Sequence, residues 1–134
     1  MADAATLMIS VGSYLPERVV TNEELAAFVD TSDEWIRQRT GIAQRHIVAK
    51  GEKTSDMACH AATQALEMAG LEASDIDLII IATSTPDDTF PSTATKVQHR
   101  LGAHAAVAFD LQAVCAGFVY ALDVADAMLT AGRG

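Results

Sequence analysis

The sequence predicts an α/β fold in which helices are layered on a mostly parallel, mixed sheet. Apolar residues make up 50% of the 134-residue chain but aromatic residues only 5%, which favours tight helix-on-sheet layers over an aromatic-rich sandwich. The run Leu78–Ala82 is apolar throughout and of strand length, as expected for a strand covered on both faces. Strand-like and helix-like segments also alternate through the second half of the chain.

The chain opens with signals for one strand and one short helix. Residues 7–11 are expected to form a first strand that ends at Gly12. Thr21 and Glu24 match a capping box, with Thr21 as the N-cap and Glu24 reaching back to it. A short helix is therefore predicted to run to about Val29.

A second helix and a second strand follow. Residues 31–34 repeat the capping pattern, with Thr31 in the N-cap position, and the helix they begin carries Trp35. Gly41 is a natural glycine for the C-terminal end of that helix. Residues 44–48 then alternate like a half-exposed strand.

The second half contains three predicted helices. Thr54 or Ser55 is expected to cap the first, which ends at Gly70, and its alanine-rich stripe suits close packing on a sheet. Pro91 is expected to begin the second, and Gly102 to end it. The third is the segment that follows the second cysteine.

Cys115 is the candidate nucleophile because of its place in this pattern. It lies where residues 105–109, a predicted buried strand, give way to residues 116–130, a predicted alanine-rich helix. The positive end of a helix dipole and its unpaired N–H groups favour the thiolate, which is the reactive form. Small residues such as Ala113 and Gly117 would let a substrate carbonyl approach. The alternative is a buried, inert core thiol, the usual role of a lone cysteine among apolar neighbours.

Charge and cysteine content exclude several classes of protein. With 18 acidic and 9 basic residues the net charge is −9, which argues against nucleic acid or an anionic membrane as a partner. Cys59 and Cys115 do not make a disulfide framework, so a reduced, cytoplasmic setting is predicted. Asp3 and Ser10 interrupt the N-terminal segment, which therefore does not read as a signal peptide. No apolar run is long enough to span a bilayer, and a soluble protein is expected.

Several stretches form recognisable motifs. They are residues 110–122, which contain Cys115, residues 31–36 followed by residues 39–42, and residues 12–16 and 90–92. Together they resemble the beta-ketoacyl-acyl carrier protein synthase III family of thiolase-like condensing enzymes. The resemblance covers essentially the whole chain but well under half of such an enzyme. It implies a thiolase fold, of which residues 1–134 would be the N-terminal part of the domain, with the remainder absent from this sequence.

The resemblance implies an acyltransferase that starts fatty acid synthesis. Cys115 would take a short acyl group from acyl-CoA, and malonyl-acyl carrier protein would then decarboxylate and attack the acyl-enzyme. The family's catalytic histidine and asparagine would come from sequence beyond residue 134, so this chain alone would be incomplete for catalysis. The histidines present match no family motif; they are His46, His60, His99 and His104. Acyl-CoA is a substrate, so no cofactor is expected, and the Cys and His positions lack metal-ligand spacing.

Four further residues acquire roles from the resemblance. Trp35 would stack on the adenine of coenzyme A, and Arg39, on the same helix face, would contact the nucleotide end, with Thr31 nearby. Phe90 would reach across a homodimer interface to line the partner's acyl pocket. The alternatives from sequence are a packing anchor for Trp35, an exposed surface residue for Arg39, an N-cap for Thr31, and a staple on the following helix for Phe90.

The acyl primer and the carrier protein contacts stay open at this stage. Gln112 and Val114 are bulkier than the residues common at these positions in the family, which leaves the acyl preference undecided. A related condensing enzyme of secondary metabolism with a different primer is one rival, and an inert α/β scaffold is another. Acyl carrier proteins are acidic, so the basic docking surface would have to come from outside this acidic chain.

Overall fold

The computed structural model describes residues 6–133, which divide into two compact units. The smaller unit spans Leu15–Glu52, and the larger one comprises the described residues up to Tyr14 and from Lys53 onwards. No helix among these residues is long and apolar enough to cross a membrane.

The smaller unit contains two strands and two helices. They are β1 (Arg18–Thr21), α1 (Asn22–Ala26), α2 (Asp33–Thr40) and β2 (Gln44–Ile47). The strands pair antiparallel, with Arg18 opposite Ile47 and Thr21 opposite Gln44. The strand predicted over residues 44–48 is thus confirmed, whereas β1 has no counterpart among the predicted strands.

The helix caps of the smaller unit agree with the sequence only in part. The Thr21 hydroxyl accepts from the Glu24 N–H at 3.1 Å, as predicted, but the Glu24 carboxylate accepts from Arg18 instead of reaching back. Helix α1 ends at Ala26 rather than near Val29. Both expectations were wrong, and for the cap the reason is that the Arg18 guanidinium is a stronger partner for the carboxylate than a backbone N–H.

Helix α2 begins one residue later than the Thr31 cap predicts. Ser32 is the N-cap, and its hydroxyl accepts from the Trp35 N–H at 3.1 Å. The N-cap role expected for Thr31 was therefore wrong. Gly41 ends the helix with a left-handed φ of 74°, as the sequence predicts.

The larger unit contains three helices and two strands. They are α3 (Thr54–Ala69), β3 (Leu78–Ala82), α4 (Thr93–Leu101), β4 (Val107–Leu111) and α5 (Gly117–Thr130). Strands β3 and β4 run parallel, with Leu78 opposite Val107 and Ala82 opposite Leu111. Helix α4 is the crossover between them, which confirms the predicted strand–helix alternation.

The starts of α3 and α4 differ from the prediction by one or two residues. Lys53 is the N-cap of α3, and its N–H donates to the Asp56 carboxylate at 2.7 Å. Thr54 donates its hydroxyl to the Thr85 carbonyl instead of capping. Helix α4 begins at Thr93 with Ser92 as its cap, rather than at Pro91. Both helices end at the predicted glycines.

Residues 7–11 belong to no strand within the described part of the chain, so the predicted first strand was wrong. Their apolar alternation is real, but Leu7 and Ile9 are 75% and 67% exposed, and no neighbouring strand hydrogen-bonds to them. The segment next to them instead lies against α3. A Cβ on Gly12 would come within 1.9 Å of the Ala61 carbonyl oxygen, so only glycine fits this approach.

Small side chains fill the core of the larger unit. Ala94 and Val97 of α4 are fully buried, with Ala103 and Ala106 beside them, where α4 packs on α3 and on the β3–β4 sheet. The same unit leaves large apolar residues exposed on α5, namely Phe118, Val119, Tyr120, Leu122 and Leu129. A cleft of about 1100 Å³ lies between α3, β3 and α5.

Candidate functional site

Cys115 lies in the turn that leads from β4 into α5. A 3₁₀ turn, Val114–Ala116, connects the parallel strand to the helix, and the sequence prediction for this junction is confirmed. The thiol is free and its residue is exposed. The first N–H groups of α5 point back at this turn, because an α-helix leaves them without intrahelical partners. The turn therefore brings together an accessible sulfur and hydrogen-bond donors.

Val114, directly before Cys115, has a left-handed backbone with φ of 48°. A β-branched residue rarely adopts this conformation, because its side chain crowds the following carbonyl. Such strained residues concentrate at functional sites, where the surrounding structure holds them. The left-handed conformation of Val114 was not predictable from the sequence, because valine is a residue typical of strands.

Close packing against β3 favours glycine at position 117. A Cβ built on Gly117 would lie 3.2 Å from the Cβ of Ala82, at the end of β3. The start of α5 thus sits close against the sheet, next to the point where the Thr83 N–H donates to the Leu111 carbonyl at 3.1 Å. This close approach fixes where the Cys115 turn stands relative to both strands.

Asp110 of β4 caps the crossover helix from across the sheet. Its carboxylate accepts from the Thr93 and Ala94 N–H groups, each at 2.7 Å. A carboxylate at a helix N-terminus is favourable both as a hydrogen-bond acceptor and as a charge on the helix dipole. Sequence reasoning missed this role, because the cap comes from a residue that follows the helix.

The loop that carries Phe90 is held by a polar network between α3 and α4. The buried Asp87 accepts from the Ser55 N–H at 3.0 Å and lies 3.6 Å from the Lys96 ammonium. Burial raises the pKa of Asp87, but the hydrogen bonds from Ser55 and the charge of Lys96 outweigh it and hold that pKa below its ordinary value. Phe90 is 88% exposed, so it does not staple the following helix within the described residues.

Trp35 and Arg39 form one exposed patch in the smaller unit. The Arg39 guanidinium lies over the Trp35 ring, 4.3 Å from its centroid, which confirms that both residues share a face of α2. Trp35 is 51% exposed, whereas the buried residue of this helix is Ile36, so Trp35 is not the packing anchor. The Thr31 hydroxyl is buried with no hydrogen-bond partner among the described residues.

The remaining candidate groups belong to other parts of the larger unit. His60 stacks on Tyr14 with ring centroids 4.7 Å apart, and the His99 and His104 rings lie 6.0 Å apart. Cys59 is buried in α3, and that burial raises the pKa of its thiol. Within residues 6–133 no cluster of three potential metal ligands exists.

The parallel β3–β4 pair, the α4 crossover and the cysteine turn before α5 agree with the first part of the thiolase-like fold. A family model described as "3-Oxoacyl-[acyl-carrier-protein (ACP)] synthase III" matches residues 109–134. Over 126 residues the chain is 64% identical to a beta-ketoacyl-[acyl-carrier-protein] synthase III of Paramagnetospirillum magneticum, covering 94% of this chain and 39% of that protein. Over almost its whole length the chain is therefore similar to the N-terminal portion of beta-ketoacyl-acyl carrier protein synthase III proteins.

Solved structures agree with this assignment. The 3-oxoacyl-[acyl-carrier-protein] synthase III of Aquifex aeolicus superposes with a TM-score of 0.88 at 50% identity, over 93% of this chain and 40% of that one. The priming beta-ketosynthase of the R1128 polyketide pathway also superposes with a TM-score of 0.88, at 40% identity. The match covers 94% of this chain and 38% of that one. The predicted fold class is therefore confirmed, and the chain spans about two-fifths of the length of these relatives.

Proposed function

We propose that the protein to which this chain contributes is a beta-ketoacyl-acyl carrier protein synthase III, which condenses a short acyl-CoA with malonyl-acyl carrier protein to begin fatty acid synthesis. The observation that carries this proposal is the exposed Cys115 in the turn between β4 and α5. The close sequence match around Cys115 also supports the proposal. The alternative, an inert core thiol, predicts that Cys115 takes up no acyl group.

The proposed reaction has two half-reactions on one sulfur. The Cys115 thiolate attacks the acyl-CoA carbonyl and expels the coenzyme A thiolate, which leaves an acyl thioester on the enzyme. Malonyl-acyl carrier protein then loses carbon dioxide, and the carbanion attacks the acyl carbonyl and expels the Cys115 thiolate. The backbone N–H of Cys115 is proposed to stabilise the developing oxyanion. The family's histidine and asparagine are expected from outside these 134 residues.

The nucleotide end of acyl-CoA is proposed to bind at α2. Arg39 covers one face of the Trp35 ring, and the ring is half exposed, so a face remains for an adenine to stack on. Thr31 is proposed to lie beside this site; its buried hydroxyl has no hydrogen-bond partner among the described residues. The guanidinium of Arg39 is suited to phosphate, because it is permanently charged and planar.

Phe90 is proposed to serve the partner subunit of a homodimer. It is 88% exposed on a loop that the Asp87 network holds in place, which suits an aromatic side chain that inserts into a neighbouring pocket. A reduced, cytoplasmic setting is part of the proposal, because both cysteines are free thiols.

A condensing enzyme of secondary metabolism is the second candidate, favoured by the similarity to the priming ketosynthase and by the bulk of Gln112 and Val114. The test is product analysis of the full-length enzyme with malonyl-acyl carrier protein and a panel of acyl-CoAs. We expect acetyl-CoA or another short acyl-CoA to give a beta-ketoacyl product, and Cys115→Ala to give none. A clear preference for long or branched primers, with acetyl-CoA inactive, would favour the second candidate.

A further inference from the structure

Asn22 is the most completely buried polar residue of the smaller unit, and every hydrogen bond it makes lies inside that unit. Its side chain is 0% exposed. The amide nitrogen donates to Asp33 Oδ1 at 2.7 Å and to the Ile42 carbonyl at 2.8 Å, while the amide oxygen accepts from Arg45 at 2.7 Å. Both donors are therefore used by the protein, and none is left for a ligand.

These partners bracket helix α2. Asp33 is its first residue, and Ile42 follows the glycine that ends it, so one side chain binds the chain at both ends of the helix. Arg45 of β2 also donates to the Val20 carbonyl of β1 at 3.2 Å, which anchors the arrangement to the sheet. We call Asn22, Asp33, Ile42 and Arg45 the Asn22 clamp.

The clamp also sets the charge at the start of α2. Asp33 receives the Arg37 Nε–H at 2.8 Å on both carboxylate oxygens. The hydrogen bond from Asn22, followed by that from Arg37, holds the pKa of Asp33 below its ordinary value. Asp33 is thus an anion at neutral pH, and it binds Asn22 and the next turn of the helix together.

We propose that Asn22 is a positioning residue for the nucleotide end of acyl-CoA: by fixing both ends of α2 it places Trp35 and Arg39 where the nucleotide binds. The proposal rests on the function proposed above. Displacements of about 1 Å are enough to disturb a binding geometry, and a buried amide that loses its partners destabilises the arrangement around it. Contacts to the nucleotide, remote from the thioester, are made alike in the bound state and the transition state, so their loss raises KM and leaves kcat unchanged.

The test compares two thioesters in the full-length enzyme. Asn22→Asp has the same shape and still accepts from Arg45, but it sets a carboxylate oxygen against Asp33 and the Ile42 carbonyl. We expect the KM for acetyl-CoA to rise about tenfold while kcat changes less than about twofold. The KM for S-acetyl-pantetheine, which lacks the nucleotide, should not change. Gln38→Ala is the matched control, because Gln38 bonds to Glu34 on the same helix but not to the clamp, and it should leave both KM values as they are.

A second variant, at a partly exposed position, keeps the test valid if Asn22→Asp misfolds. Asp33→Ala removes the link from Asn22 to α2 at a partly exposed position and should produce the same split between the two thioesters, several-fold in size. The inference is overturned if the KM rises equally for both thioesters, if kcat falls without the split, or if acetyl-CoA is used normally.

Trp35→Ala separates failure of the inference from failure of the proposed function. A normal KM for acetyl-CoA in this variant would remove the nucleotide role of Trp35 and the inference with it. A raised KM in Trp35→Ala, together with an unchanged one in Asn22→Asp, would overturn the inference alone. Absence of condensation by the unaltered enzyme with either thioester would overturn both.

Discussion

At the scale of single residues, the two cysteines differ in their exposure. Cys115 is exposed on a turn at a helix start, whereas Cys59 is buried within α3 and its burial raises the pKa of the thiol. Only the thiolate reacts, and only when a reagent can reach it. Of the two thiols, Cys115 is the accessible one in the described part of the chain.

We predict that iodoacetamide at neutral pH alkylates Cys115 much faster than Cys59. Cys59 should react more slowly because burial limits the access of the reagent and because its raised pKa lowers the thiolate fraction. Peptide mass spectrometry after timed quenching measures both rates in one sample, and Cys115→Ala is the control. Equal rates for the two thiols, or faster labelling of Cys59, would contradict the assignment of Cys115 as the accessible nucleophile.

The strain at Val114 leads to a second prediction at this scale. Val114→Gly should leave the free energy of unfolding unchanged or raise it by up to about 1 kcal/mol, because relief of the left-handed conformation offsets the added freedom of the unfolded chain. Val107→Gly, in the strand β4, is the control and should lower the free energy of unfolding by about 1 kcal/mol. Urea unfolding of both variants measures this, and a loss at Val114 as large as that at Val107 would show that the side chain, not the backbone, matters there.

At the scale of elements, the Asp110 cap links the sheet to the crossover helix. Asp110→Ala leaves the buried Thr93 and Ala94 N–H groups without their acceptor, and we expect a loss of about 1–3 kcal/mol in the free energy of unfolding. Asp123→Ala, on the exposed side of α5, is the control and should change stability by less than about 0.5 kcal/mol. Chemical denaturation reports both values. A loss at Asp110 no greater than at Asp123 would mean that the cap does not stabilise α4.

The elements also show how far the sequence alone could predict the structure. Helix ends at Gly41, Gly70 and Gly102 were predictable because a left-handed C-terminal glycine is a local signal. Strand β3 was predictable because its apolar run is continuous. Strand β1 was missed because only Val20 of its four residues is buried, which leaves no pattern to detect.

What the sequence could not predict depends on partners distant in the chain. Residues 7–11 have the alternation of a strand, but a strand also requires a hydrogen-bonding neighbour, which a local pattern does not contain. The roles of Asp110 and Asn22 arise from contacts 11 to 23 residues away, so no spacing rule identifies them. The position of Cys115, in contrast, follows from its two flanking elements and was predicted.

At the scale of the whole molecule, charge and apolar surface agree with a chain that acts together with further protein. The net charge of −9 gives little attraction for an acidic carrier protein, so we expect basic docking residues elsewhere in the full-length enzyme. Large apolar side chains are exposed on α5, and several of them line the cleft beside it. Both features agree with the chain's share of its relatives, about two-fifths of their length.

The central claim is that Cys115 carries the acyl group, and intact mass spectrometry of the full-length protein tests it most directly. The protein is measured before and after incubation with acetyl-CoA, alongside Cys115→Ala treated in the same way. We predict a gain of one acetyl group per chain in the unaltered protein and no gain in the variant. No adduct in either protein, or the same adduct in both, would contradict the account.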